Sequence, residues 1–341
     1  MDLALWIEWI VKAIIMIVVL LTGFAYTTYM ERKLLGRFQN RYGPNRAGPW
    51  GLLQPVADGV KLIFKEELIP AQADKLIFIL APIITTVPAW IILAVVPLGV
   101  VEIFGRTIDL SIAGDLNVGV LYITSITSIS VYGIVLAGWS SNNKYATMGG
   151  IRSTAQMISY ELALGLSFIG PVMLAGSLSL ADIVNTQKSL GWFVIYQPIG
   201  FVIFLIAALA EINRSPFDMP EAEQELTAGY HVEYSGMKFA MFMLTEYTKM
   251  IVVSVIAVTL FLGGYHIPFI TDQPWGAWLA PVGLFVKTLV LLYGIIWVRA
   301  TLPRIRYDQL MALGWKIMLP VALFNVFLTA VMILAFPGWF K

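Results

Sequence analysis

The run LWIEWIVKAIIMIVVLLTGFAYTTY (residues 5–29) decides the fold class. Its charged residues are Glu8 and Lys12, and the rest is apolar or small. A helix rises about 1.5 Å per residue, so such a run crosses a hydrocarbon core of roughly 30 Å. Similar stretches recur at about 76–100, 116–138, 155–178, 192–210, 237–262, 277–298 and 317–337. The expected fold is therefore an all-α polytopic membrane protein, with about eight transmembrane helices in one membrane domain covering 1–341. Composition agrees: 59% of residues are hydrophobic, 13% are charged, and the mean hydropathy is +0.80. Glu8 and Lys12 interrupt the first run and no small-residue cleavage pattern follows it, so no cleavable signal peptide is expected.

Net charge points to no partner, with 22 Lys and Arg against 21 Asp and Glu, and no nucleic acid is expected among the partners. The absence of cysteine excludes thiolate-held iron–sulfur clusters, disulfides and a cysteine nucleophile. His231 and His266 fall in different loops, which excludes a bis-histidine haem pair within the membrane. Neither a GxGxxG fingerprint nor a P-loop is present. Small residues in the fourth and fifth spans (Ala163, Gly165, Gly170, Ala207, Ala208) favour close helix approach. No internal repeat supports an inverted-repeat transporter.

Charge orients the bundle. Sixteen Lys and Arg lie in the odd-numbered connections, from Arg32 to Lys316. The even-numbered connections and the C-terminus hold three, Arg106, Lys188 and Lys341, while Lys12, Lys249 and Lys287 fall inside spans. The positive-inside rule then puts the odd loops in the cytoplasm and both termini on the outer face. Within the first loop, GLLQPVADGVKLIFKEE (51–67) repeats apolar residues at three- and four-residue steps, opposite Asp58, Lys61 and Lys65. This pattern reads as an amphipathic helix lying in the interface, either as a plain anchor or as one wall of an entrance for a lipid-soluble substrate.

Several acids could carry chemistry. Glu161 and Glu246 lie well inside spans four and six, where a charge costs about 2.5–3.5 kcal/mol on insertion scales. Such a residue faces water, is paired, or holds a proton; pairing of Glu246 with Lys249 on one helix face is the simplest structural alternative. The fifth loop opens with EINRSPFDMPEAEQEL (211–226) and concentrates Glu211, Asp218, Glu221, Glu223, Glu225 and Glu233 around a single arginine, Arg214. Pro220 suits the first turn of a short helix whose N-terminus tolerates acids. These acids read either as an ordinary solvated loop or, with Glu161 and Glu246, as one acidic hydrated passage whose titrations are coupled. The first loop is basic instead: Arg32 and Arg41 could sit at the mouth of a cavity, and the basic stretch 299–316 could form a docking surface for a cytoplasmic partner.

Four blocks carry a resemblance: ERKLLGRFQNRYGPNRAGPWGLLQPVADGVKL (31–62), GGIRSTAQMISYELALGL (149–166), AEINRSPFDMPEAEQELTAGYHVEYSGMKFA (210–240) and RATLPRIRYDQLMALGWK (299–316). They resemble the H subunit of complex I, the proton-pumping NADH–quinone oxidoreductase, and the similarity runs over essentially the whole chain. GWSSNNKY (138–145) is more similar to plastoquinone-reductase homologues, and EYTKM (246–250) to the bacterial form. The resemblance implies a plasma or thylakoid-type membrane location and a quinone chamber open to lipid, to which Glu31, Arg32, Arg41, Asp58 and Phe217 are assigned. It implies an acidic proton relay through Glu161, Glu211, Glu221, Glu223, Glu225 and Glu246. It also implies that this chain holds no redox centre and no metal: quinone is the substrate, while FMN and iron–sulfur clusters reside in partner subunits of a peripheral arm. Small and antiporter-like membrane subunits are the other implied partners. One departure stands out, since Ser128 occupies a place where several members of the family carry an acid. The expected role is that of a non-redox component that couples quinone reduction to proton translocation. The rivals are a stand-alone proton or cation transporter and a structural anchor for an electron-transfer arm.

Overall fold

The computed structural model describes residues 3–103, 106–218, 227–268 and 278–336. Helix α1 runs from Leu3 to Phe38 without a break. At about 1.5 Å per residue it is about 54 Å long, so it overshoots the membrane and carries Glu31, Arg32 and Arg37 beyond it as helical residues. Its outward face, including Ile14, Val18 and Val19, is exposed, as a lipid-facing helix requires. After a turn at Pro49–Gly51, helix α2 covers Gln54–Phe64 and has no fully buried residue. Val56, Val60, Ile63 and Phe64 stand exposed on one side, the unburied apolar stripe of an interfacial helix.

Helix α3 (Lys75–Ile91) starts where the Asp74 side chain accepts from the Ile77 amide, and it tightens into a 3₁₀ turn at Ile92–Val95. A short antiparallel hairpin follows, β1 (Val100–Ile103) with β2 (Arg106–Asp109), a feature the apolar pattern did not announce. Helix α4 covers Gly119–Ser140 and α5 covers Lys144–Ala175, the latter closed by Gly176 in the left-handed conformation. The α3–α4 contact depends on Gly133, where a Cβ would meet Thr85 Cγ2 at 2.5 Å and the Ala81 carbonyl at 2.8 Å. Helices in lipid associate through such close packing rather than through expulsion of water.

The fifth expected span, 192–210, is not one helix. Helix α6 (Leu180–Leu190) precedes it, and the span itself divides into α7 (Phe193–Tyr196) and α8 (Pro198–Glu211). The break is at Gln197, whose side chain donates to Thr329 Oγ1 at 2.6 Å and accepts from Asn325 Nδ2 at 2.9 Å. Pro198 has no amide proton to extend a helix across this point. Helix α8 is about 21 Å long, shorter than the hydrocarbon core. Seven helices among the described residues are long and apolar enough to cross a membrane, and α8 stands beside them as a shorter apolar helix.

Helix α9 spans Gly236–Phe261 and α10 spans Ala280–Thr301. The Lys287 ammonium of α10 donates to the carbonyls of Leu262, Gly264 and His266 at 2.7, 3.0 and 2.6 Å, which ties down the chain leaving α9. The basic stretch after α10 is more ordered than a loop: α11 (Tyr307–Ala312) continues through a π-helical turn at Leu313–Met318 into α12 (Leu319–Ala335). The Tyr160 hydroxyl donates to the Leu310 carbonyl at 2.8 Å, and Arg304 pairs with Asp218 at 2.8 Å. The interior holds a large aromatic-rich core around Tyr160, Phe168, Phe204 and Phe261, and a smaller one around Phe78, Tyr230, Tyr234 and Phe242.

Candidate functional site

The segment leaving α8 is held by α5. Gln156 Nε2 donates to the carbonyls of Ala210 and Phe217, both at 2.8 Å, and Asn213 Nδ2 donates to Ser153 Oγ at 2.9 Å. Asn213 takes a left-handed backbone (φ 57°), which turns the chain sharply after the helix. That turn aims Arg214 inward. Its Nε lies 2.5 Å from Glu246 Oε1, a terminal nitrogen lies 3.3 Å from Glu31 Oε2, and its guanidinium sits 4.3 Å above the Tyr247 ring centroid. Arg299 of α10 contacts the other oxygen of Glu31. Glu31, Arg214 and Glu246 are all buried, so two carboxylates and two guanidiniums form a lattice joining α1, the turn after α8, α9 and α10. Desolvating such charges is tolerable only because each is paired.

Next to this lattice lie two cavities. One has apolar walls from Ile92, Ile123, Phe168 and Ile256, and polar lining from Thr127, Ser130, Glu211 and Lys249. The other is lined by Glu211, Asn213, Thr245, Glu246 and Lys249, among others. Glu211 and Lys249 thus face both spaces, and Glu246 faces the second with them. Glu211 Oε2 is buried and has no hydrogen-bond partner among the described residues. Glu161 is not in this pair of walls; its carboxylate contacts Ser128 Oγ of α4. The hydroxyl at the position of the missing acid therefore faces Glu161 directly.

Lys249 does not serve as counter-ion to Glu246. It donates to Ser130 Oγ at 2.8 Å, and Arg214 takes Glu246 instead. The residues assigned to a quinone chamber divide three ways. Glu31 turns inward to the arginines, while Arg32, one residue on, turns outward and meets Asp58 of α2 at 2.5 Å. Gln54 also donates to Asp58, at 3.2 Å. Arg41 is exposed and donates to Gln39 at 2.7 Å. Phe217 is buried against Tyr160, with ring centroids 5.8 Å apart. Glu221, Glu223 and Glu225, and the short helix expected at Pro220, lie outside the described residues.

Beyond the spans, His231 is buried between Tyr230 and Phe239, at ring separations of 5.0 and 5.6 Å. Burial pushes it down to about 4, so it is neutral near pH 7. Tyr234 is pushed up to about 12 by burial, opposed by its hydrogen bond with Ser140. Sequence reasoning passed over Arg214 and Arg299 as members of the site. The signal was available: a buried acid such as Glu31 demands a cation, and Arg214 is the one arginine or lysine in the acid-rich stretch.

The fold and site define a polytopic helical membrane protein whose interior is charged and paired where its exterior is apolar. Residues 11–330 match the family model for NADH dehydrogenase. The chain is 51% identical over 339 residues to one of the NADH-quinone oxidoreductase H subunits of Geobacter sulfurreducens, covering 96% of this chain and 95% of that one. It is 52% identical over 321 residues to the NADH-quinone oxidoreductase H subunit of Thermomicrobium roseum, covering 91% and 92%. With the corresponding H subunit of Deinococcus deserti it shares 51% identity over 339 residues, covering 97% and 85%. The chain belongs to the H-subunit family of NADH–quinone oxidoreductases, a membrane component of complex I.

Proposed function

We propose that this chain forms the lipid-side access chamber for quinone and an acidic relay that couples quinone reduction, carried out in partner subunits, to proton movement in adjoining membrane subunits. One observation carries the reading: Glu211 and Glu246 line a common cavity, and Glu246 is joined through Arg214 to Glu31, next to the Arg32–Asp58 bridge with α2. A change of charge or position near α2 therefore has a short route through α1, where Arg32 and Glu31 are adjacent, to the paired lattice and the cavity beside it. One pKa unit is worth about 1.4 kcal/mol, so a few such groups acting together carry a meaningful signal.

In this reading quinone enters beside α1, α2 and α9 along their apolar faces, and two electrons reach it from the terminal iron–sulfur cluster of a partner. No residue of this chain passes electrons. The described residues contribute charge, orientation and room for protons, with the odd-numbered loops cytoplasmic. Glu221, Glu223 and Glu225 extend the relay in sequence.

The test uses the assembled complex in its membrane. Glu211→Gln and Glu246→Gln are expected to lower the protons moved per quinone reduced clearly below the wild-type ratio. Arg32→Ala is expected to act mainly through the quinone KM. If both glutamine variants pump at the normal ratio, the chain is an anchor and the reading fails. Ion transport by the isolated chain in liposomes, with no redox partner, would instead establish a stand-alone transporter.

A further inference from the structure

Four buried or half-buried acids inside the bundle divide by their company. Glu31 and Glu246 are held by guanidiniums, which carry a permanent charge. Glu211 and Glu161 have no guanidinium beside them among the described contacts; Lys249 shares both cavities with Glu211 and bonds Ser130 of α4, the helix whose Ser128 contacts Glu161. We propose that Lys249 is a positioning residue for proton movement: a shared cation that holds Glu211 and Glu161 within one exchangeable set, steered by Ser130. This inference rests on the coupling reading above and deepens it.

Three features support it. Lys249 lines both cavities together with Glu211. An ammonium offers three protons to acceptors. One is fixed by Ser130 Oγ at 2.8 Å, which orients the head group toward α4. Helix α4 itself supplies hydroxyls here, Thr127, Ser128 and Ser130, and Ser128 contacts Glu161. The cation opposite the two acids therefore comes from α9, three residues along from Glu246. Two carboxylates and one ammonium sum to −1 when all are ionised, and one added proton brings the set to zero. The trio thus changes between two charge states by a single proton, next to the guanidinium-paired lattice of Glu31 and Glu246.

The test compares Lys249→Met, Lys249→Arg and Glu211→Gln in the assembled, membrane-bound complex, reading protons moved per quinone reduced and the amount of complex that co-purifies. Lys249→Met is expected to lower the ratio clearly below the wild-type value. Lys249→Arg keeps the charge and is expected to restore most of the ratio, which a merely space-filling role would not produce. Ser130→Ala leaves the lysine but frees its head group, and is expected to give a smaller fall in the same direction. If Lys249→Met prevents assembly, the Ser130→Ala ratio decides. A normal ratio in Lys249→Met, or in Ser130→Ala where that variant must decide, overturns the inference. So does a Lys249→Arg complex as defective as Lys249→Met. If Glu211→Gln and Glu246→Gln are both normal as well, the coupling reading itself falls; if Glu211→Gln is defective and only the lysine variant is normal, this inference falls alone.

Discussion

Glu246 and Glu211 face the same cavity and are both hidden from solvent, yet they are built for different work. Glu246 lies against Arg214, which also reaches Glu31 and stacks on Tyr247. Glu211 keeps an oxygen without a hydrogen-bond partner among the described residues and shares its space with a lysine. A carboxylate clamped by a guanidinium ties any change of its charge to the shape of the lattice; one without such a clamp can gain or lose a proton without dismantling its surroundings. The difference teaches that buried acid content by itself does not mark a proton path. The partner decides.

The sharpest way to break this comparison is to remove the clamp. Among the described contacts, Arg214→Ala leaves Glu31 with one of its two cations and Glu246 with none. Stranding buried charge of this kind typically costs about 3–5 kcal/mol. We expect a large loss of thermal stability of the complex in detergent, and of subunits recovered with it. An Arg214→Ala complex as stable as the wild type would mean that the lattice is not structural.

His231 extends the comparison outside the membrane, because it too is buried with a nitrogen, Nδ1, that has no partner among the described residues. Its folded value of about 4 lies below the ordinary 6.5, so the unfolded chain binds more protons between those limits. The neutral ring therefore contributes stability that is complete above about pH 6.5 and is lost as pH falls toward 4. At full protonation the loss is at most about 3 kcal/mol. His231→Gln should flatten the fall in melting temperature between pH 7 and pH 4.5; an unchanged pH slope would show that the imidazole is not the group responsible.

The smallest effect belongs to the bridge that is wet. Arg32 and Asp58 are both partly exposed, so although they meet at 2.5 Å, such pairs contribute only about 0–1 kcal/mol. Asp58→Asn should leave the melting temperature nearly unchanged while altering the quinone KM, measured on the intact complex. A destabilisation rivalling that of Arg214→Ala would erase the distinction between the inner and outer faces of α1.

Much of this was legible in the chain. Apolar runs located seven of the helices because length and hydropathy are one-dimensional properties. The amphipathic stripe located α2 for the same reason, though residues 51–53 and 65–67 lie outside the helix. The fifth span was misread because hydropathy is blind to a polar hinge: Gln197 is one residue in an apolar stretch, and what breaks the helix is its pairing with Asn325 and Thr329 more than a hundred residues away. The acids of the site could be found from their depth in the spans. Their partners could not, because Arg214 to Glu31 and Lys249 to Ser130 are contacts between distant parts of the chain. The alternative pairing of Glu246 with Lys249 followed from spacing on one helix, and a turn at Asn213 that brings in Arg214 gives Glu246 a different partner.

Lys287 has a mechanical consequence. By gripping three carbonyl oxygens just past Phe261, it pins one end of α9 to α10. Glu246 lies about 24 Å down the same rod. The far end of α9 is thereby anchored to α10, and Glu246 and Lys249 sit well away from that anchor, where a tilt of the helix displaces a side chain more than it does beside the pin.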